Sequence, residues 1–380
     1  MSAASIFPTV TNNAPGHPTP FLFMDLAIVA QRYQAFRSAL PRADVHYAMK
    51  CNPDPTLLMH IRGLGASFEV ASFPELQTLI DLGVDARDVL FSNPVKIERH
   101  VARAAHAGLF RFAFDSEEEL DKIARHAPGA SVYVRLAVDA GASRVPSEGK
   151  FGVDADTAFR LMTRVPAMGL VPYGVTFHVG SQMERPEVWL QAVRRCGQLM
   201  RRLATAGVRL SMVDIGGGFP AHYRSLVPEI GDIGDVIETA LRAELPYQPA
   251  KIAVEPGRGL VADAGIMVAT VIGLASRATK RWAHLDVGAF NGLIEALETD
   301  NALCFPVLDS RGSASLSSYN LTGPSCDSQD TILFDCLLSS DLAVGDRVYV
   351  GTAGAYTTSY ASAFCGFAIP RSYYHSPSGA

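Results

Sequence analysis

Residues 45–50 read VHYAMK, a short apolar run that breaks off at a lysine. Aromatic and β-branched side chains suit a pleated, half-buried surface, so the run predicts a strand with a charged group at its end. The same texture returns at residues 67–71 (FEV at its centre), 89–94 (VLFSNP), 110–115 (FRFAFD), 131–138 (SVYVRLAV), 173–180 (YGVTFHVG), 210–218 (LSMVDIGGG) and 251–257 (KIAVEPG). Stretches with helical spacing, such as 73–82 and 186–206, lie between these runs. Strand and helix alternating eight times predicts a parallel α/β barrel of the TIM type, (β/α)8. In that architecture catalytic groups gather where the strands end, because the chain there leaves the packed barrel for its open mouth. The strand ends supply Lys50, Glu69, Asn93, Arg135, His178, the triplet Gly216, Gly217 and Gly218, and Glu255. A purely structural barrel has no reason to collect an amine, two carboxylates and an imidazole on one rim.

At 380 residues the chain exceeds one barrel of about 250 residues. The barrel is expected over residues 21–262 and a β-rich domain over 263–380, where residues 267–275, 281–287, 331–338 and 347–350 look strand-like with few helices between them. Residues 309–318 (DSRGSASLSS) read as a polar connection and Gly345-Asp346 as a turn before a strand. Residues 1–20 form a Pro-, Asn- and Gly-bearing leader that is free to return and join the β domain.

Hydrophobic residues make up 48% and charged residues 19%, a globular composition. A formal net charge of -5 provides no basic footprint for nucleic acid. No apolar run is long enough for a membrane span, and the N-terminus has no basic region leading into an apolar one. Six cysteines without paired or metal-ligand spacing predict free thiols in a reducing cytoplasm and no metal site.

Two boxes, Ser72-Phe73-Pro74-Glu75 and Ser116-Glu117-Glu118-Glu119, follow predicted strands directly. Each is expected to start a helix, the serine accepting an orphan amide proton and the glutamate answering back.

Among the strand-end groups, a desolvated Lys50 becomes a neutral nucleophile able to form a Schiff base. The glycine triplet can wrap an anion in backbone amides, with phosphate the usual guest. Arg258, within four residues of Glu255, can pair bidentately with such a phosphate, and Ser181 can bond it too. A carboxylate facing a pyridine nitrogen keeps that nitrogen protonated, which is the role open to Glu255, while His178 can stack on the ring. Lysine, anion cradle, histidine and carboxylate together make a site for pyridoxal 5'-phosphate. Taken singly, each has a plainer use: a salt-bridge lysine, a tight turn, a satisfied core histidine.

The series YAMKCN, FEVAS, FSNPVK, KFG, FHVGSQ, DIGGGFP, EPGR, GPSCDSQD and GAYT, spread over residues 20 to 370, resembles the fold-type III pyridoxal phosphate decarboxylases. That group comprises the ornithine, lysine, arginine and diaminopimelate decarboxylases, with alanine racemase a more distant relative. The resemblance implies an alanine racemase-like barrel followed by a β domain, and it implies that Lys50 tethers the cofactor, Glu255 meets the pyridine nitrogen and His178 supplies the stacking face. It places the phosphate on Ser181, Gly216, Gly217, Gly218, Gly257, Arg258 and Tyr356, sets Glu69 near the lysine, and puts Arg135 behind the cofactor. Cys326 and Asp327 correspond to residues that reach the neighbouring subunit's active site, which implies a homodimer.

Within the family, Cys-Glu-Ser is similar to diaminopimelate decarboxylases and Cys-Asp to ornithine and lysine decarboxylases, where the aspartate meets the distal ammonium. Here that residue is Asp327. Animal ornithine decarboxylases carry a Tyr-Asp pair after the segment matching Ala289-Phe290-Asn291, whereas this chain has Glu295-Ala296, so Glu295 is expected to stand in for the aspartate, with Tyr356 also near the substrate. The expected reaction is decarboxylation of a basic L-amino acid, ornithine to putrescine in polyamine biosynthesis. Lysine, arginine, diaminopimelate or a carrier-bound amino acid is the alternative substrate. A racemase is disfavoured by Glu255, because alanine racemases set an arginine against the pyridine nitrogen. A non-enzymatic pyridoxal phosphate carrier is disfavoured by the β domain.

Overall fold

The computed structural model describes residues 9–10, 16–141, 143–145, 149–299 and 303–376. The chain divides into two compact units, one of residues 33–220 and 228–257, the other of residues 1–32, 221–227 and 258–380. In chain order the first strands are β1 (Phe21–Asp25), β2 (Ala43–Ala48), β3 (Ser67–Val70), β4 (Leu90–Phe91), β5 (Arg111–Phe114) and β6 (Ser131–Leu136). They are followed by β7 (Ser143–Val145), β8 (Val171–Phe177), β9 (Ser181–Met183), β10 (Met212–Asp214) and β11 (Lys251–Val254).

Eight of these strands close the first unit into a parallel barrel in the order β2-β3-β4-β5-β6-β8-β10-β11, with Ile252 of β11 beside Ala43 of β2 sealing the ring. Each corresponds to one of the eight apolar runs. Although Glu69 and Arg135 are still paired within their strands, in most of the runs the strand stops before the last residues. Lys50, for example, sits in a 3₁₀ turn, Met49–Cys51. The small pair β7 and β9 is antiparallel and stands apart from the barrel sheet.

The two-residue alternation of a strand decides what faces inward. Leu90, Ala113, Tyr133, Met212 and Ala253 pack together as an apolar cluster inside the ring. Two residues further along the same five strands stand Ser92, Asp115, Arg135, Asp214 and Glu255. A polar layer therefore lies directly above an apolar one, at the ends of the strands.

The surrounding helices follow the expected spacing. Glu187–Thr205 buries Trp189, Ala192, Val193, Cys196, Leu199, Met200 and Leu203, a stripe at intervals of three and four. Gly197 on that stripe meets the backbone of Glu244, where a Cβ would stand 2.1 Å from the carbonyl oxygen. Ser72 and Ser116 both cap as expected, accepting from the amides of Glu75 and Glu119 at 3.4 Å and 3.1 Å. The reciprocal half differs at the second box. Glu119 turns away from the cap and takes the buried Lys96 ammonium at 3.0 Å. Lys96 also donates to the carbonyls of Asn93 and Ala113, so a charged pair with fixed partners is sealed inside the unit. Glu119 also accepts from the Lys96 amide, at 3.2 Å and 3.3 Å to its two oxygens.

The second unit is a mixed sheet. Its strands are β1, β12 (Gly265–Arg277), β13 (Lys280–Leu285), β14 (Val307–Asp309), β15 (Leu316–Thr322), β16 (Thr331–Ser339), β17 (Arg347–Val350) and β18 (Arg371–His375). The main path runs β14-β17-β12-β13-β15-β16, and β1 pairs with both β12 and β18. The run at Phe21 thus enters this sheet beside Val268, and the barrel begins at β2. His17 stacks on Tyr373 at 4.0 Å and Thr19 donates to Asp286, which lays the described end of the leader on the same sheet; residues 1–8 and 11–15 lie outside the described set. The polar connection expected over 309–318 gives way to β15 at Leu316, where pairing on both sides outweighs the weak propensity of a Ser-rich run.

Replacing Lys96 with alanine is expected to destabilise the protein by about 3 kcal/mol or more, because Glu119 is left buried with only Lys122 to face. The double change Lys96→Met with Glu119→Leu is expected to recover most of that loss. Urea unfolding midpoints of the three proteins check both statements.

Candidate active site

Lys50 leaves β2 with its Nζ 2.9 Å from Oε2 of Glu69, whose carboxylate is 1% exposed while the lysine side chain is 43% exposed. The carboxylate holds a solvent-reachable amine in one place. Glu75, in the helix that follows Glu69, has its carboxyl raised to about 7 by burial and by the Glu69 charge. Its Oε2 accepts from the amide of Ala71 at 2.6 Å.

Glu255 leaves β11 next to this pair. Ser92 donates to its Oε1, and the Ser92 hydroxyl also lies 2.8 Å from the hydroxyl of Tyr133. Burial pushes the Glu255 carboxyl well above the usual carboxylate range, and the charges of Asp214 and Glu69 push it further, against the opposing pull of Lys50. Asp214 itself is raised to about 6, chiefly by burial. Three carboxyl groups therefore crowd one mouth, and Glu255 keeps its proton more firmly than Asp214.

The cations that answer them are Lys50 and Arg135. Arg135 is buried enough for its guanidinium to be held below its ordinary range, with Glu255 and Asp115 as the nearest compensating charges. It lies 5.2 Å over the ring of Phe151. His178 follows β8, and its Nδ1 accepts from the amide of Gly180 at 2.9 Å, so the neutral ring carries its proton on Nε2. Burial, Arg135 and Lys50 lower this imidazole to about 3, which keeps it uncharged.

The glycine turn is pressed against both residues. A Cβ on Gly217 would stand 2.6 Å from the carbonyl oxygen of Glu255 and 3.7 Å from Nε2 of His178. Gly216 and Gly218 have φ of +65° and +98°, where a side chain is unwelcome. Of the three amides expected to face an anion, that of Gly216 donates instead to Oδ1 of Asp214 at 2.9 Å. Thr176 holds the other oxygen of Asp214 at 2.8 Å. Asp214 thus fixes the turn from below, leaving Gly217 and Gly218 to present amides. Ser181 opens β9, across from Val145. Gly257 is needed for clearance, since a Cβ there would meet Cβ of Cys51 at 3.0 Å. Asn93 acts as a turn staple, its amide group donating to Ala71 at 3.2 Å and accepting from Val95 at 3.4 Å.

In the second unit Arg258 is 4% exposed and Glu295 3% exposed. The two form a fork-to-fork pair with contacts of 2.8 Å and 2.5 Å, and Arg258 also donates to the hydroxyl of Tyr223 at 2.6 Å. Its guanidinium lies 4.9 Å from the ring of Tyr356. Both oxygens of Glu295 are thereby occupied by Arg258. Asp327 is exposed, with Oδ1 accepting from the amide of Gln329 at 2.8 Å, and Cys326 beside it is exposed as well.

Asp214, Ser92 and Tyr133 belong to this mouth and had no role assigned from the sequence, and Glu75, read there only as a capping residue, joins them. The alternation argument applied to Met212 and Leu90 would have found the first two. Among the described residues no cluster of His, Cys, Asp or Glu could hold a metal ion.

A cleft of about 760 Å³ opens at the opposite end of the barrel strands, lined by Arg37, Asp44, His46, Arg62, Arg111 and Lys251. It contains none of the strand-end groups just described.

The family model "Pyridoxal-dependent decarboxylase, pyridoxal binding domain" matches residues 26–262. The chain belongs to the pyridoxal-dependent decarboxylases. Over 354 residues it is 36% identical to the lysine/ornithine decarboxylase of Selenomonas ruminantium, covering 92% of this chain and 88% of that protein. It is 31% identical to the ornithine decarboxylase of Schizosaccharomyces pombe, covering 95% and 84%. The solved lysine/ornithine decarboxylase of Vibrio vulnificus, complexed with cadaverine, superposes with a TM-score of 0.90 at 30% identity, covering 99% of this chain and all of that one.

This decarboxylase is an amino acid carboxy-lyase of the group that acts on basic substrates, and its cofactor is pyridoxal phosphate. The donor set of the barrel mouth fits that cofactor. It offers an exposed amine for the aldehyde, two turn amides for an anion, and a buried carboxyl of high proton affinity for a ring nitrogen.

Because the folded chain holds the Asp214 proton more tightly than the unfolded chain does, it binds the extra proton between pH 3.8 and about 6. Stability of the cofactor-free protein is therefore expected to fall as pH rises through that window. Asp214→Asn, which can keep both hydrogen bonds, is expected to flatten the decline. Thermal midpoints of the two apoproteins across pH 4 to 7 provide the comparison.

Proposed function

We propose that this decarboxylase converts L-ornithine to putrescine and carbon dioxide, as a cytoplasmic homodimer serving polyamine synthesis. The observation that carries the substrate choice is Asp327, an exposed carboxylate directly after Cys326 in GPSCDSQD. An exposed acid suits the distal ammonium of a basic amino acid. The Vibrio vulnificus relative solved with putrescine as well as cadaverine supports the same substrate class. All six cysteines are thiols, in keeping with a reducing compartment.

Bound pyridoxal phosphate supplies an electron sink for the pair left behind when the carboxylate departs. The chain's own residues set the conditions. Lys50 provides the tethering amine, and Glu69 at 2.9 Å orients it and exchanges its proton. Glu255 holds a proton at its carboxyl against the crowd of Asp214 and Glu69, and so supplies it to a ring nitrogen. His178 offers an uncharged ring face, because burial, Arg135 and Lys50 keep its imidazole neutral. The amides of Gly217 and Gly218, with Ser181, bind the phosphate group, and the resemblance adds Arg258 and Tyr356 to that task. Glu295 works through Arg258, whose guanidinium it fixes, rather than by touching substrate. Cys326 returns a proton to Cα in the neighbouring subunit's site, and Asp327 accepts the substrate's distal ammonium there.

Lysine is the second reading, favoured by the Selenomonas ruminantium relative being a lysine/ornithine decarboxylase. Carbon dioxide release measured with ornithine, lysine, arginine and meso-diaminopimelate decides between them. Ornithine is expected to give the highest kcat/KM with lysine second, and activity confined to diaminopimelate would overturn the proposal.

Asp327→Ala is expected to raise KM for ornithine by roughly 10- to 100-fold with a smaller effect on kcat, as loss of a charge-assisted hydrogen bond requires. Glu255→Gln is expected to lower kcat by roughly a hundredfold or more while the cofactor stays bound, as its visible absorbance reports.

A further inference from the structure

Two loops of the second unit are pinned to one short turn, residues 288–291. On one side, the amide of Ala289 donates to Oδ1 of Asp330 at 2.8 Å, and Asp330 Oδ2 accepts from both the amide and the hydroxyl of Ser325, at 3.0 Å and 2.6 Å. On the other, the amide of Ser362 donates to the carbonyl of Phe290 at 2.9 Å and Asn291 Nδ2 donates to the carbonyl of Ala368 at 3.3 Å. The rings of Phe290 and Phe364 lie 4.8 Å apart. Cys326 follows Ser325 and Cys365 follows Phe364, so the shared turn sets the distance between the two cysteines. Their thiols share a hydrogen bond, and both side chains are exposed.

The backbone at position 365 adds an independent observation. Cys365 has φ of +54° and Gly366 has φ of +81°. The left-handed region suits glycine, asparagine or aspartate and disfavours other side chains. A cysteine is uncommon in that region, and this one sits beside Cys326.

We propose that Cys326 and Cys365 form a reversible disulfide, a modification site for hydroperoxide oxidants that withdraws the Cys326 thiol from use. The sulfur of Cys326 attacks the peroxide, the O–O bond breaks, and a sulfenic acid forms with release of one water. The sulfur of Cys365 then attacks Cys326, the S–O bond breaks, a second water leaves and the S–S bond closes. Two thiols and one hydrogen peroxide thus yield one disulfide and two waters. A dithiol reverses the bond by exchange, itself becoming oxidised. Cys326 is assigned the attack because it is the thiol that the proposed function places within a solute's reach, and Cys365 beside it is left to resolve the sulfenic acid. A solute as small as hydrogen peroxide reaches any thiol that an amino acid substrate reaches.

That the bond stops turnover rests on the reading of Cys326 as the proton donor to Cα; that the bond forms does not. The test treats the holoenzyme with hydrogen peroxide, alkylates the remaining thiols, maps peptides by mass spectrometry without reduction, and assays a parallel sample before and after dithiothreitol. The expected result is a linked peptide containing Cys326 and Cys365, activity reduced at least tenfold, and recovery with dithiothreitol. Cys365→Ser is expected to retain turnover when untreated, to yield no linked peptide, and to lose activity to peroxide without recovery, because an untrapped sulfenic acid proceeds to sulfinic acid. Absence of the linked peptide in the oxidised wild type, or full dithiothreitol recovery in Cys365→Ser, overturns the proposal. A linked peptide with turnover intact upholds the disulfide and overturns instead the role given to Cys326.

Discussion

The two-residue alternation of the barrel strands is the constraint on which the chemistry depends. It fixes which side chains enter the ring, and it does so in layers. Tyr133, Met212 and Ala253 fill the apolar layer, and the next inward positions on the same strands are Arg135, Asp214 and Glu255. A slip of one residue in any strand would send its functional side chain to the helix side and leave a helix-facing residue in the mouth. The packed layer below therefore does more than stabilise. It sets the height and direction of every charged group above it.

Within that polar layer the charges are unequal in their freedom. Lys50 is reachable from solvent but tied to Glu69, whereas Glu255 is shielded and hydrogen-bonded through Ser92 to Tyr133. Burial raises the proton affinity of both Asp214 and Glu255, that of Glu255 the further. Asp214 spends its oxygens on Thr176 and on the glycine turn, so it acts as scaffold and electrostatic neighbour together. A similar division separates Lys96 from Lys50. Both are lysines near strand ends, but Lys96 is sealed against Glu119 with two carbonyls and has no route to a ligand.

The barrel was legible because its signal is repeated: eight short apolar runs, each breaking off at a polar or glycine-bearing end, leave little freedom once the first is read as a strand. The β-rich unit was legible only in part. Strands β12, β16 and β17 announce themselves by β-branched residues, while β15 depends on partners on both sides that no local reading supplies. In the mouth, Lys50, Glu69, Arg135, His178 and Glu255 were visible because charged groups at strand ends are unusual. Asp214 was overlooked because the glycines after it drew the reading towards an anion. The Glu295 partner of Arg258 was beyond reach of sequence, since 37 residues separate them and only packing brings them together. The second serine box shows the same limit: its hydroxyl behaves as local rules require, and its glutamate obeys a buried cation instead.

The crowd of carboxyl groups has a consequence for the lifetime of the polypeptide. Burial and the charges of Asp214 and Glu69 hold a proton on Glu255, and a ligand that took up that proton would be held there by the carboxylate it leaves behind. The coenzyme is then a structural member as well as a reagent, adding about 2.7 kcal/mol to folding when present a hundredfold above its dissociation constant. Vitamin supply would thus govern how much of this polypeptide escapes unfolding and proteolysis, before any question of turnover arises.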